Sequence, residues 1–203
     1  MSLLDDYVLD YSLLNSYDKN ILENRLVLVL KKDSYFTKIA FSKESREYES
    51  IFCNDEIIKK IEISKNEILF CLSDFEIRLK LFELSKIAIN GAEDLEIDSF
   101  LDILISYSIE KNASDIHIET EENALIIRLR IDGVLKTFFS FDIKFHLILS
   151  SIIKLISKLD ITQKREPQNG RFEKIINQNR VDFRVSTMPT IKGESIVLRV
   201  LDT

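Results

Sequence analysis

The sequence predicts an α+β protein: a small N-terminal α/β domain, followed by a domain with an antiparallel sheet flanked by helices. Three observations carry this. Two segments, Ile97–Ile109 and Phe145–Leu159, repeat apolar residues at three- and four-residue steps, the signature of a helix with one buried face. Asp115–Glu119, Leu125–Ile131 and Arg180–Thr187 alternate apolar with polar residues, as half-buried strands do. Asp132-Gly133 lies between two such runs, and both central positions of the favoured hairpin turn require positive φ.

In chain order, Ser2–Ser16 is a short amphipathic opening with Leu3, Leu4, Tyr7, Val8, Tyr11 and Leu14 at helical spacing. Arg25–Lys31 and Phe36–Ser42 read as strands joined by a Lys-Lys-Asp-Ser turn. Asn54–Ile63 is expected to be helical and Glu67–Leu72 a short apolar strand. Asp74–Ile89 fits a helix by length and charge spacing, with an alternating strand over Phe75–Leu81 as the competing reading. Asn90–Asp94 marks the boundary, because Gly91 follows an apolar helix. The domains are therefore expected at 1–90 and 95–203.

The second domain reads helix, three strands, helix, three strands. Its first helix covers Ile97–Ile109, with Asp98 as an N-terminal cap or first-turn acid, and Asn112-Ala113-Ser114 breaks it. Asp115–Glu119, Leu125–Ile131 and Val134–Phe139 follow as strands. After the helix Phe145–Leu159 comes a loop fixed by Pro167 and Gly170. Phe172–Ile176, Arg180–Thr187 and Ser195–Leu201 close the chain as strands.

Composition narrows the function. Of 203 residues, 45% are hydrophobic and 31% charged, an ordinary globular balance. The net charge of −6 is unevenly spread. Residues 1–111 hold 22 acids against 14 bases, whereas residues 112–203 hold 12 against 14 and carry seven of the ten arginines. The acidity argues against a dedicated nucleic-acid binder. No basic-then-apolar leader and no apolar run of about 20 residues occurs, so the cytoplasm is the expected compartment. Cys53 and Cys71 have neither metal nor disulfide-framework spacing and read as buried thiols.

The candidate chemistry centres on Arg171 and Arg184. A hairpin through Asn177-Gln178-Asn179 would bring them close, and guanidinium forks fit phosphate oxygens with paired hydrogen bonds. Two adjacent arginines repel unless an anion or an acid lies between them. Ion pairs with Glu173, Asp182 and Glu194 on a solvated face are the competing explanation. His117 between Asp115 and Glu119 looks at first like a metal cluster, but strand spacing is too regular to close a tetrahedral site, so a surface or interface histidine is expected. His146 has no partner in the sequence. No G-x-x-x-x-G-K-[ST] loop is present, so this chain cannot be the part that holds a triphosphate.

Six ordered motifs then point to a family. They are Ala113-Ser-Asp-Ile-His-Ile-Glu119, Arg128-Leu-Arg-Ile-Asp-Gly-Val-Leu135, Leu159-Asp-Ile161, Pro167-Gln-Asn-Gly-Arg171, Val181-Asp-Phe-Arg-Val-Ser-Thr187 and Met188-Pro-Thr-Ile-Lys-Gly-Glu194. Residues 95–203 thereby resemble the second N-terminal domain of the secretion ATPases of type II secretion and type IV pilus assembly, which also serve DNA uptake. Thr120 and Asn169 depart from the family pattern, which commonly has Pro and Asp there.

The resemblance implies a PAS-like fold for this domain. It implies a hexameric motor whose C-terminal domain, absent from this sequence, holds ATP and Mg. The chain is then expected to be a piece of a longer protein, or else a lone regulatory domain. Arg171 and Arg184 match motif arginines that reach the phosphates, as arginine fingers. Arg199 is a third candidate for an ATP phosphate, on a strand that reads as more buried. Arg128 and Arg130 are expected at inter-domain or subunit contacts. Residues 1–90 would dock the motor to inner-membrane platform proteins, placing it in the cytoplasm at the membrane periphery. The alternative is a stand-alone, non-enzymatic PAS-like sensor or protein-interaction scaffold.

Overall fold

The computed structural model describes residues 3–52, 57–91, 94–176 and 178–201. Cys53, the start of the expected helix at Asn54–Glu56, Ala92-Glu93 of the expected boundary and Asn177 of the expected turn lie outside them. The chain forms two compact units, one of Leu9–Glu83 with Leu3, the other of Leu84 onward with Leu4–Val8.

Short helices α1 (Leu3–Asp6) and α2 (Tyr11–Leu14) divide the amphipathic opening in two; Leu4–Val8 belongs to the second unit and α2 to the first. Helix α3 (Lys19–Arg25) starts at Asp18, whose carboxylate accepts from the Asn20 and Ile21 amides, and stops where Leu26 turns left-handed at φ 52°. Strands β1 (Val27–Lys32) and β2 (Thr37–Phe41) pair antiparallel, as the hairpin reading requires. Two other expectations are corrected. Ile58–Glu62 is a strand, β3, lying parallel to β2, although Ile58 and Ile61 are spaced as on a helix. Lys65–Leu72 is a helix, α4, although its apolar run resembles a strand. Ser64 caps it by accepting from the Glu67 amide, and Glu67 stands at the third helical position, the spacing of a capping box. Cys71 is buried in this core, and burial pushes its thiol up to about 12. Helix α5 (Phe75–Ile89) follows, so the strand alternative over Phe75–Leu81 is not adopted.

In the second unit, α6 (Asp94–Glu110) starts earlier than its periodicity suggests, which places Asp98 inside the helix rather than at its cap. Asn112 ends it at φ 56°. Strands β4 (Ala113–Thr120), β5 (Ala124–Ile131) and β6 (Val134–Asp142) form a meander. Asp132 and Gly133, at φ 50° and 77°, make the expected tight turn. Helix α7 (Phe145–Ile156) ends three residues early. Lys158 turns left-handed at φ 58°, and the Lys158 and Leu159 amides close back on the Leu155 and Lys154 carbonyls. Strands β7 (Gln168–Ile176), β8 (Asn179–Thr190) and β9 (Gly193–Leu201) complete an antiparallel sheet of order β6-β5-β4-β9-β8-β7. The structure is thus mixed α and β, with a small N-terminal α/β unit followed by a helix-flanked antiparallel sheet.

This sheet has two unlike faces. One carries Ile116, Ile118, Ile127, Leu129, Phe172, Phe183, Val185, Ile196 and Leu198, all buried. Phe100 of α6 packs edge-on against Phe145 of α7 at 4.7 Å and against Phe141 of β6 at 5.3 Å, so both helices share this core. Each fully buried Phe or Leu here contributes about 1.5–3 kcal/mol. Gly170 lies on the same face, where a Cβ would stand 2.6 Å from the Ser157 carbonyl oxygen and 2.8 Å from Leu159 Cδ2. Gly170 is therefore required by close approach within a strand, not by a loop. The opposite face is polar and presents the candidate site.

Candidate functional site

The register of the sheet sets five charged residues in one row. Arg171 faces Arg184, Arg184 faces Arg199, Arg199 faces Asp115, and Asp115 faces Arg130. Directly opposed residues share a face, so all five project from the polar side. Nine successive pairs without a bulge, from Gln168–Thr187 to Ile176–Asn179, hold β7 against β8. The arginines thus sit on regular strands, and β7 already begins at Gln168, ahead of the expected strand.

Charge compensation along the row is lopsided. Asp115 is nearly buried and grips both its neighbours: Arg199 Nε donates to Oδ1 at 2.8 Å, and Arg130 Nε stands 3.4 Å from Oδ2. Burial opposes ionisation of Asp115, but the hydrogen bonds from Arg199 and Ser114 outweigh it and hold the carboxyl below its ordinary value. Arg199 itself is exposed, with 63% of its side chain accessible, contrary to the buried position expected for it. Arg130 closes back onto the Gly133 carbonyl at 3.2 Å.

Arg171 and Arg184, by contrast, make no ion pair or hydrogen bond among the described residues. The three acids offered as their partners are engaged or turned elsewhere. Glu173 pairs with Arg180, Glu194 with Lys154, and Asp182 Oδ1 is buried without a hydrogen-bond partner. Both guanidiniums line a cavity of about 450 Å³ floored by β7 and β8, together with Asn169, Ser186 and Leu201. Ser186 donates to Asn169 Oδ1 at 2.7 Å, which fixes the polar rim on one side of the arginines. Glu173 faces Asp182 in the next row, so acids border the other side. An anion seated between the two arginines would relieve the repulsion that their register imposes.

A second cluster on the same face involves His117 and Arg128. His117 Nδ1 lies 3.4 Å from Glu119 Oε1, and Glu119 Oε2 pairs with Arg128. The His117 hydrogen bond and the Arg128 charge together lower the Glu119 pKa against its partial burial. Arg128 also reaches Asp5 Oδ1 at 3.2 Å, and Thr137 Oγ1 donates to the same oxygen at 2.7 Å. Ser140 Oγ donates to the Tyr7 carbonyl at 2.8 Å. Arg128 thus anchors the N-terminal segment Leu4–Val8 to its own unit. His117 is half-buried in this network, and among the described residues no group of three His, Cys, Asp or Glu side chains is arranged to hold a metal.

Sequence reasoning missed a third arrangement. On α7, His146, Ser150 and Lys154 follow one another at four-residue steps within the buried stripe. His146 Nε2 meets the Glu194 carbonyl at 2.8 Å, so this nitrogen carries the proton. Lys154 Nζ pairs with the Glu194 carboxylate at 2.5 Å and donates to the Gln163 carbonyl at 2.7 Å. Three polar side chains at helical spacing amid apolar ones were the available signal. This cluster ties α7 to the start of β9 and to the segment leading into β7.

Comparison with known proteins bears on the same stretch. The sequence model of the Type II/IV secretion system protein family matches residues 90–203. Type II secretion system protein E of Aeromonas hydrophila is 46% identical over 114 residues, 56% of this chain and 23% of that protein. Type II secretion system protein E of Dickeya dadantii is 44% identical and Type II secretion system ATPase E of Vibrio cholerae 43% identical, over the same shares. The matched stretch therefore spans under a quarter of these relatives. It contains every residue of the arginine row.

Proposed function

The chain belongs to the Type II/IV secretion system protein family, and from that premise we propose that it is the N-terminal part of a secretion, pilus-assembly or DNA-uptake ATPase. In this reading Arg171 and Arg184 form half of a catalytic site. They supply positive charge to the phosphates of an ATP, with its Mg, held by a C-terminal domain outside this chain. The observation that carries the proposal is the directly opposed pair of arginines without acid partners among the described residues. Guanidinium groups aimed at a transferring phosphoryl group accelerate such reactions by several powers of ten in other enzymes.

The residues present fit one side of a triphosphate and not the whole of it. Two guanidiniums and the Asn169 amide nitrogen offer donors over an open cavity, while the Ser186 hydroxyl donates to Asn169 Oδ1. A glycine-rich loop of stacked amides is lacking, since the four glycines stand singly in the sequence. ATP brings the phosphoanhydride bond; the chain's own task is to position and neutralise charge. Arg199 is held by Asp115, a bond that fixes β9 beside β4.

The first unit docks the motor to inner-membrane platform proteins, and the parent protein assembles as a homo-hexamer in the cytoplasm against the membrane. The excess of acids before residue 112 and the family membership support this reading. Among the described residues no helix is long and apolar enough to cross a membrane. The test is direct. Purified residues 1–203 should bind ATP weakly or not at all and hydrolyse none; steady hydrolysis by this chain would overturn the half-site proposal.

A further inference from the structure

The six-stranded sheet of the second unit ends in two unlike edges. One is β6. Its pairing with β5 slips at Phe138, between the Ile127–Phe139 and Arg128–Thr137 pairs, and a bulge of this kind spoils an edge for further pairing. Ser140 and Thr137 of β6 also hold the Tyr7 carbonyl and Asp5 of the N-terminal segment. The other edge is β7. Its nine residues, Gln168–Ile176, pair with β8 without a bulge, and Pro167 stops just short of them. Among the described residues no backbone hydrogen bond joins β7 to any element but β8. A regular open edge of this kind is a template for another strand. It also carries exposed apolar surface, since Ile175 is 75% accessible on the face that bears Arg171.

The residues of β7 select its partner. Laid antiparallel against a copy of itself, the strand has one symmetric register that pairs all nine residues, with Phe172 on the twofold axis. That register sets Arg171 of each copy opposite Glu173 of the other. Sliding the copy by two residues, the smallest step that keeps the faces matched, sets Arg171 against Arg171 or Glu173 against Glu173. Opposite charges directly across a strand pair stabilise it, and like charges destabilise it. Both groups are available. Arg171 has no ion pair or hydrogen bond among the described residues. Glu173 gives Oε2 to Arg180, which leaves Oε1 on a side chain that is 52% accessible.

We propose that β7 is a self-recognition edge: two copies of this chain pair their β7 strands antiparallel about Phe172, held by two Arg171–Glu173 ion pairs. The two sheets then run on as one. The inference needs only this chain and does not rest on the phosphate reading. A contact made by one strand edge is small, so the dimer is weak and depends on concentration.

Sedimentation velocity of the 203-residue chain over a wide concentration range tests it, with hydrogen exchange read by mass spectrometry at both ends of that range. The expected result is a monomer–dimer equilibrium in which the dimer slows exchange within Gln168–Ile176. Arg171→Glu should weaken dimerisation about tenfold or more, because two attractions become two repulsions. Arg171→Glu/Glu173→Arg should restore it to within about threefold of wild type. A monomer at every concentration overturns the proposal, as does equal dimerisation by Arg171→Glu. Protection that appears on α7, where Leu147 and Leu155 are each 58% accessible, and not on β7 also overturns it, in favour of contact through that helix. The exchange measurement uses the unmodified chain, so it decides even where a variant fails to fold.

Discussion

Arg171 of β7 stands directly opposite Arg184 of β8, and neither guanidinium is paired among the described residues. Fold stability alone does not select such a pair. Opposed like charges on neighbouring strands cost free energy unless an anion joins them. We therefore expect Arg184→Ala in this chain to leave Tm unchanged or raise it by about 1–3 °C. Differential scanning calorimetry at low salt measures this, and added phosphate should narrow the difference. A clear fall in Tm would mean that Arg184 supports the fold.

Gly170 neighbours Arg171 and is packed against the stretch that follows α7. A Cβ there would press on the Ser157 carbonyl oxygen at 2.6 Å, and backbone cannot yield as a flexible side chain would. Gly170→Ala should destabilise by about 1–3 kcal/mol, the usual cost of overpacking, read as a shift in urea midpoint with unchanged slope.

Lys154 and Glu194 form a buried pair, 1% and 6% accessible at the side chain. Removing one partner strands a charge in the interior. Lys154→Met should therefore cost about 3–5 kcal/mol, whereas Lys154→Met/Glu194→Leu should recover most of that loss. The non-additivity of this double-mutant cycle is the diagnostic quantity.

His146 gives a pH dependence. Burial lowers its pKa, against the favourable carbonyl of Glu194, so the folded state resists protonation more than the unfolded chain, which titrates near 6.5. Below that pH the unfolded state binds more protons, and stability falls as pH drops toward the lowered folded value. His146→Gln keeps a donor for the Glu194 carbonyl and removes the titration. Its stability should change less than wild type between pH 7.5 and 5.5, in parallel urea titrations. The lowered carboxylates Asp115 and Glu119 act in the same direction, but only at more acidic pH.

Much of the second unit was legible in the sequence because its signals are local. Asp132-Gly133 marks a turn, the stripes of α6 and α7 mark buried faces, and alternation in β4, β5 and β8 marks strand faces. The first unit was harder. Ile58–Glu62 becomes a strand by parallel pairing with β2 across a long connection, which no local pattern encodes. Lys65–Leu72 was misread because its apolar run suits either structure, and the Ser64 cap with Glu67 was the arbitrating signal. At the site, the nearness of Arg171 and Arg184 followed from hairpin logic. That Arg199 shares their row and is neutralised by Asp115 depends on the pairing of β4 with β9, 84 residues apart in sequence.

We propose that Arg171 and Arg184 act together on phosphate held elsewhere in the parent protein. The decisive measurement is ATP turnover by that longer protein carrying Arg171→Ala, Arg184→Ala and both. We expect a loss of about a hundredfold or more for each single variant, with the double little worse than either because the two act as a unit, and with Tm maintained. Turnover within about twofold of wild type in both single variants would contradict it.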